Sequence, residues 1–464
     1  MESQMNFADN QTLAVDPEVR RTLSPAERWY WILDQVSPLN IVSWASIPGQ
    51  IPDGLFEQAA QVLRSRHPLL RVSVEAKPDG TQPTFVSAPS TNLRIRRIAA
   101  VDDRVLWKQA MAGTELSTPL DPSSGCMVRI TEVVHDAGAL AEMHVVVLTL
   151  SHVIGDAVSA TTLLAELIEI AGELSVGQAS AIDREPGPPV ISSRALLAPD
   201  RSLPRSHRGA VGLARVFLSV VEQLRQARQR PVRLVAREEV PHEDRATRIV
   251  SRTISGVDFQ KLSAACDAHS VQLRSAVTVA LAWAIRRLND GSVSGRVCIG
   301  VGDDTRKAVA PGADDLVMGA YTTLSPTLIS YGPVDEFWSR VLEVDHSSSC
   351  RIDRGDHITP LLSMQFISPP SVGKSANAVK MAEQRGPGNV MHVSVRTDSS
   401  SASPWEVSPL EFAVSLSATG LLGACTTVSD SSLQWNTVFA ERVVAAADAE
   451  SVADSASALL LAVL

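Results

Sequence analysis

The sequence predicts a mixed α/β (α+β) protein built as two lobes, each with sheets and packed helices. Three observations carry that prediction. Helical and extended patterns alternate through the first 135 residues and again from residue 258 onward. The segment "AEMHVVVLTL" (141–150) is apolar on both faces, as expected of a central strand covered on both sides. Between the two alternating regions, "DREPGPPVISS" (183–193) breaks every periodic pattern and reads as the connection. The expected division is an N-terminal lobe over 1–182, a linker over 183–205 and a C-terminal lobe over 206–464.

Taken in order, "SPAERWYWILDQV" (24–36) begins a helix with Ser24 as N-cap, Pro25 at the first helical position and Glu27 three residues after the cap. Trp29, Tyr30 and Trp31 on it read as packing rather than as a substrate platform. A second helix runs from about 53 to 66 and breaks at Pro68, before a strand with Leu70, Val72 and Val74 on one face. "CMVRITEVV" (126–134) and 141–150 are strands, and 157–174 places Leu163, Leu164, Leu167, Ile168, Ala171 and Leu174 at helical spacing. In the second lobe, 258–288 is one or two helices with a break near His269–Ser270, and "GRVCIGVGDDTR" (295–306) is a strand followed by a loop. Residues 369–409 read mostly as loop around the short strand "NVMHVSV", and the chain closes with strand, turn, strand and helix.

Composition narrows the function classes. The 464 residues are 45% hydrophobic and 20% charged, which is ordinary globular composition. A net charge of −9 and a pI near 5.6 give no case for nucleic acid. The acidic N-terminus "MESQMNFADNQTLAVDPEVRR" resembles neither a secretion signal nor a transit peptide, and no run approaches the roughly 18 apolar residues of a membrane span. Five scattered cysteines, odd in number and never spaced C-x-x-C, fit a reducing cytoplasm and no zinc ribbon or disulfide framework.

The candidate chemistry lies in "LTLSHVIGDAVSATTLLAELIEI" (148–170). An apolar strand runs into His152, and a turn leaving a buried strand can hold an imidazole in one orientation facing a cavity. Asp156 either orients that turn or simply caps the helix starting at Ala157. H-x-x-x-D alone is a weak pattern. A metal would need a third ligand at suitable spacing, and none stands nearby. There is no G-x-S-x-G elbow, and "GVGDDT" lacks the third glycine of a dinucleotide fingerprint.

The whole stretch resembles the HHxxxDG signature of the condensation-domain superfamily, which includes nonribosomal-peptide condensation domains, polyketide-associated acyltransferases, the plant HxxxD acyltransferases and, more distantly, chloramphenicol acetyltransferase. "LSPAERWYWILDQVSPLN", "FEQAAQVLRSRHPLLRVSVE" and "AVTVALAWAIRRL" followed by "VCIGVGDDTR" are similar to further segments of these proteins, so the resemblance extends from about residue 22 to the C-terminus. It implies two chloramphenicol-acetyltransferase-like lobes with a tunnel between them and His152 midway as general base. An acyl thioester, on carrier-protein phosphopantetheine or coenzyme A, enters as co-substrate from one side, and an alcohol or amine acceptor from the other. The family's aspartate is structural and pairs with an arginine of the second lobe; by position that partner is Arg306, whose alternative is pairing with Asp303 or Asp304. Ser151, Gly155, Ala157, Ser159 and Ser368 are candidate oxyanion or substrate contacts.

Ser151 stands where most members have a first histidine, Ala157 stands where glycine usually follows the aspartate, and the plant-branch DFGWG motif is missing. Those departures leave a second reading, a catalytically silent domain that recruits a carrier protein or partner enzyme. A third is the same histidine used for cyclisation or epimerisation. The segment 201–237 holds nine arginines against one acid, Glu222, and is either a solvated helix face or a docking surface for an acidic carrier or coenzyme A phosphates. A monomer is the family expectation.

Overall fold

A computed structural model of the chain describes residues 19–88, 93–100, 106–135, 142–177, 209–232, 234, 236–288, 294–309, 317–386, 389–397, 403–416 and 418–464. The expected linker, 183–205, lies outside the described residues. Three sheets organise the rest. A small one has the order β1 (Arg20–Thr22), β4 (Thr84–Ser87), β3 (Val72–Glu75). A five-stranded sheet runs β12 (Glu411–Val414), β2 (Asn40–Pro48), β7 (Met143–Ser151), β6 (Val128–His135), β5 (Ile95–Ala100). A six-stranded sheet runs β10 (Thr322–Tyr331), β9 (Gly295–Asp304), β11 (Val390–Arg396), β13 (Leu422–Val428), β14 (Ser432–Ala440), β8 (Thr247–Ser255).

The helices are α1 (Pro25–Val36), α2 (Leu55–Arg66), α3 (Leu106–Ser117), α4 (Ala157–Ser175), α5 (Gly209–Arg228), α6 (Gly256–Ala268) and α7 (Leu273–Ile285). They continue with the single-turn α8 (Arg306–Val309), then α9 (Phe337–Asp353), α10 (Thr359–Ile367), α11 (Ala376–Arg385) and α12 (Ala446–Ala462). None among the described residues is long and apolar enough to cross a membrane. The N-terminus of α1 forms as its sequence dictates: Ser24 Oγ accepts from Glu27 N at 3.2 Å and Ser24 N donates to Glu27 Oε2 at 2.7 Å. The expected break at His269–Ser270 separates α6 from α7.

β7 is central and covered on both faces. Successive side chains of a strand point to opposite sides, and on its neighbour β2 Asn40 Nδ2 reaches the carbonyls of Glu115 and Thr118 at the end of α3 while Ser43 Oγ donates to Ala160 O of α4. With α3 on one side and α4 on the other, β7 is buried from His144 to Ser151, which is why its sequence is apolar without alternation. The largest hydrophobic cluster continues from Ile32 and β7 through α7 and β14 to Leu460 of α12.

Four expectations need adjustment. The region 369–409 holds a helix besides the expected strand: 376–385 forms α11, with Val379 and Ala382 packing toward Trp29 and Leu33 of α1. The closing "strand, turn, strand" is not a hairpin: β12 and β13 enter different sheets, and a third strand, β14, buried along its whole length, follows them. β12 pairs antiparallel with β2, Glu411 opposite Trp44, so the first sheet is completed from the later part of the chain and residue 206 does not separate the two sheets cleanly. In the arginine-rich segment, α5 packs on α10 and leaves Leu213, Phe217, Leu218 and Leu224 exposed, so it is more than a solvated polar face.

Candidate active site

β7 ends at Ser151, whose N–H donates to Met127 O, and the chain turns at once, with Ile154 N donating to Ser151 O at 3.1 Å. Val153 and Ile154 drive their side chains into the core, both fully buried, and His152 N donates to Leu39 O at 3.0 Å. A turn pinned in this way leaves the His152 side chain, half-buried, as the one that does not enter the core. Gly155 follows in a space without room for a side chain: a Cβ there would lie 2.5 Å from Leu150 Cδ2 and 3.0 Å from Ser159 Cβ.

The carbonyl of Gly155 stands 2.8 Å from His152 Nδ1. A carbonyl can only accept, so Nδ1 carries the proton and Nε2 presents its lone pair, the tautomer a base requires. The ring also lies flat against Tyr30 of α1, with centroids 4.1 Å apart and planes 17° from parallel. Burial lowers the imidazole's pKa, while the Asp156 charge and the bond to Gly155 O pull it back up.

Asp156 caps α4 and does more. Its Oδ1 accepts from Ser159 N at 2.9 Å, from Ser159 Oγ at 3.0 Å and from Arg306 Nη2 at 2.5 Å. Its Oδ2 accepts from Tyr321 N at 3.0 Å, Thr322 N at 2.9 Å and Thr322 Oγ1 at 3.0 Å. Burial alone would push this carboxyl up, but the Arg306 charge and these donors outweigh it and hold its pKa down to about 2. The two sequence readings of Asp156, cap and orienting partner, are thus both realised in one side chain.

Arg306 is fully buried and equally engaged. Its Nη1 donates to Asp304 Oδ1 at 3.0 Å, its Nε to Val317 O at 3.0 Å, and its Nη2 also to Ser159 Oγ at 2.8 Å. Burial opposes its charge, and Asp156 and Asp304 more than restore it, so its pKa rises. Asp303, on the opposite side of β9, turns instead to Arg274 at 3.5 Å and Arg351 at 3.1 Å. The result is a buried lock between the turn after β7 and residues 304–306 and 317–322.

The remaining candidates fall into two groups. Ser151 and Ala157 are buried on either side of the turn, Ser151 opposite Asn40 in the sheet. Ser159 is corrected as an oxyanion donor: buried, its hydroxyl accepts from Arg306 and Gly319 N, and its one proton is directed at Asp156 Oδ1 or Gly319 O. Ser368 caps α10, and its hydroxyl accepts from Arg28 Nε at 3.1 Å, tying α10 to α1 rather than reaching His152. The sequence reading missed Tyr30, grouped with its tryptophan neighbours as packing, and the backbone donors of Tyr321 and Thr322. No local spacing marks an N–H that meets a carboxylate 165 residues away. Among the described residues, no group of three or more His, Cys, Asp or Glu side chains could hold a metal.

No protein-family model matches the sequence, and no curated protein matches it. Solved structures do match. The chain is similar to a trichothecene 15-O-acetyltransferase from Fusarium sporotrichioides, with a TM-score of 0.72 at 12% identity, over 98% of this chain and 97% of the other. It is similar to the first condensation domain of the calcium-dependent antibiotic synthetase at a TM-score of 0.66 and 15% identity, over 96% of each chain. It is also similar to the epimerization domain from the third module of tyrocidine synthetase B, at 0.65 and 13%, over 96% of this chain and 97% of that one. The fold is therefore the one shared by condensation domains and this acetyltransferase, as the motif resemblance implied.

Proposed function

We propose that the chain is an acyltransferase that moves an acyl group from a carrier-protein or coenzyme A thioester to a hydroxyl or amine acceptor. The observation that carries this reading is the state of His152: Nδ1 is committed to Gly155 O, leaving Nε2 as a base beside the junction locked by Asp156 and Arg306. The acceptor's X–H loses its proton to Nε2 as X attacks the thioester carbonyl. The oxyanion formed needs donors; with Ser159 N bonded to the cap, the N–H groups of Ala157 and Val158 are those left over in the first turn of α4. Collapse breaks the C–S bond, and the thiolate takes the proton back from the imidazolium. Positioned general-base catalysis contributes roughly 10²–10⁴-fold, so holding the two substrates against each other would have to supply much of the rest.

A carrier donor is supported by α5 and the turn after it, where exposed Arg225, Arg228 and Arg230 follow the exposed apolar Phe217 and Leu224 along the chain. An acidic carrier surface would be attracted there and released by salt. The test is intact-mass spectrometry of thioester consumption by wild type and His152→Ala. Acyl-coenzyme A and acyl-carrier donors would each be offered with mixed alcohols and amines. Acyl transfer by wild type alone supports the reading. Equal silence, with a carrier still bound, replaces it with the recruiting domain, and substrate isomerised without change of mass replaces it with an epimerase-like use of the same base.

A further inference from the structure

The contact between Tyr30 and His152 bears on how the imidazole is aimed. A hydrogen bond from Nδ1 to Gly155 O fixes one ring atom and leaves the ring free to rock about that bond. A flat neighbour removes that freedom, and Tyr30 lies at 4.1 Å and 17°. We propose that Tyr30 is a positioning residue for His152, the face that holds the imidazole in one plane and stands beside it when it becomes cationic. This rests on reading His152 as the base.

The rest of α1 is built to hold that ring still. Glu27, besides closing the capping box, takes a two-pronged bond from Arg21, each at 2.7 Å. One residue on, Arg28 Nε and Nη2 bond Ser368 Oγ and Ser368 O at 3.1 and 3.2 Å. Tyr30 itself packs against the buried cluster of Ala26, Val309, Tyr321, Ile358, Leu361 and Leu362. Tyr321 also supplies a backbone donor to Asp156, so the element that orients the ring and the lock that fixes the turn meet in one cluster.

Electrostatics agrees with the geometry. Among the described residues, the titratable groups acting on the ring are Asp156, through its charge, and Tyr30, stacked on it from α1. Burial and the Asp156 charge both raise the Tyr30 hydroxyl above its ordinary range, so its ring stays neutral. A neutral aromatic face attracts a cation, whereas burial in aliphatic surroundings disfavours one. A useful contrast is His269, stacked on Trp338 at 4.4 Å and 14° but solvent-exposed at the end of α6.

The experiment is nuclear magnetic resonance of the full chain with isotope-labelled histidine, with the His152 signals assigned by their loss in His152→Ala. Ring-nitrogen shifts give the tautomer and a pH series gives the midpoint, without any substrate. Tyr30→Phe is expected to keep the single Nδ1–H tautomer and the wild-type midpoint. Tyr30→Leu, and Tyr30→Met as a second ring-free variant should leucine pack badly, are expected to show mixed tautomers and a midpoint lower by roughly 0.5 pH. His269 is expected to be unchanged throughout. One tautomer and an unshifted midpoint in the folded ring-free variants would overturn the proposal. Failure of the base reading shows separately, as turnover that survives His152→Ala.

Discussion

At the end of β7, His152 has one ring nitrogen committed and, among the described residues, no partner on the other; in the middle of β11, His392 has both occupied. Nδ1 of His392 meets Thr278 Oγ1 at 2.7 Å and Nε2 meets Thr426 Oγ1 at 3.0 Å, with the residue fully enclosed. Burial, with the Arg274 charge, lowers the His392 pKa to about 3, so it is neutral in all ordinary buffers. His152 is lowered by burial as well, but the carboxylate of Asp156 opposes that effect. The difference teaches what separates a histidine used as a polar strut from one available for proton transfer. The strut has every lone pair and proton spoken for; the other has a fixed tautomer, an open nitrogen and a counter-charge to offset its burial.

Exchanging the insults breaks the comparison most sharply. His152→Ala is expected to lose at least 10²-fold in turnover with an unchanged melting temperature. His392→Ala is expected to keep turnover per folded molecule and lose about 1–3 kcal/mol by denaturant titration, because Thr426 is left unpaired. Next in size, Asp156→Asn removes the counter-charge but not the shape. It leaves the buried guanidinium with Asp304 as its one remaining counter-charge, for an expected loss of about 3 kcal/mol in urea unfolding.

The third effect is acid sensitivity. His392 binds a proton in the unfolded chain below its ordinary 6.5 but in the folded protein only near 3, so stability is complete above pH 6.5 and falls as pH drops toward 3. Thermal melting from pH 6.5 to 5 is expected to show a loss on the order of 2 kcal/mol from this residue, absent in His392→Gln. His67, held to about 4 by burial and the Arg66 charge, adds a loss of the same sign in both proteins. Smallest is Ser368→Ala, which removes the hydroxyl accepting from Arg28 and is expected to lower stability by about 1 kcal/mol, read by chemical denaturation.

The sequence made legible what is local. The α1 capping box, the central position of β7 and the helix starting at Ala157 follow from residue type and spacing within a dozen positions. The Asp156–Arg306 partnership came from resemblance, since nothing in the two segments themselves brings residues 150 apart together. Three features left no local trace. Ser159 reads as an available hydroxyl until three other groups are seen to consume it. Tyr30 lies between two buried tryptophans and differs from them only in the direction α1 turns it. β12, four residues long, has no pattern that says which sheet it joins, because that is decided by the unpaired edge of β2.

That edge has a consequence for how the protein comes to exist. While the chain is being synthesised, residues up to the end of α4 can assemble β2, β7, β6 and β5, but the hydrogen-bonding edge of β2 stays open until residues 411–414 have emerged from the ribosome. An open, apolar strand edge is a template for the wrong neighbour. That sheet is therefore completed last, and a fragment ending after α4 is expected to expose the β2 edge as a seam.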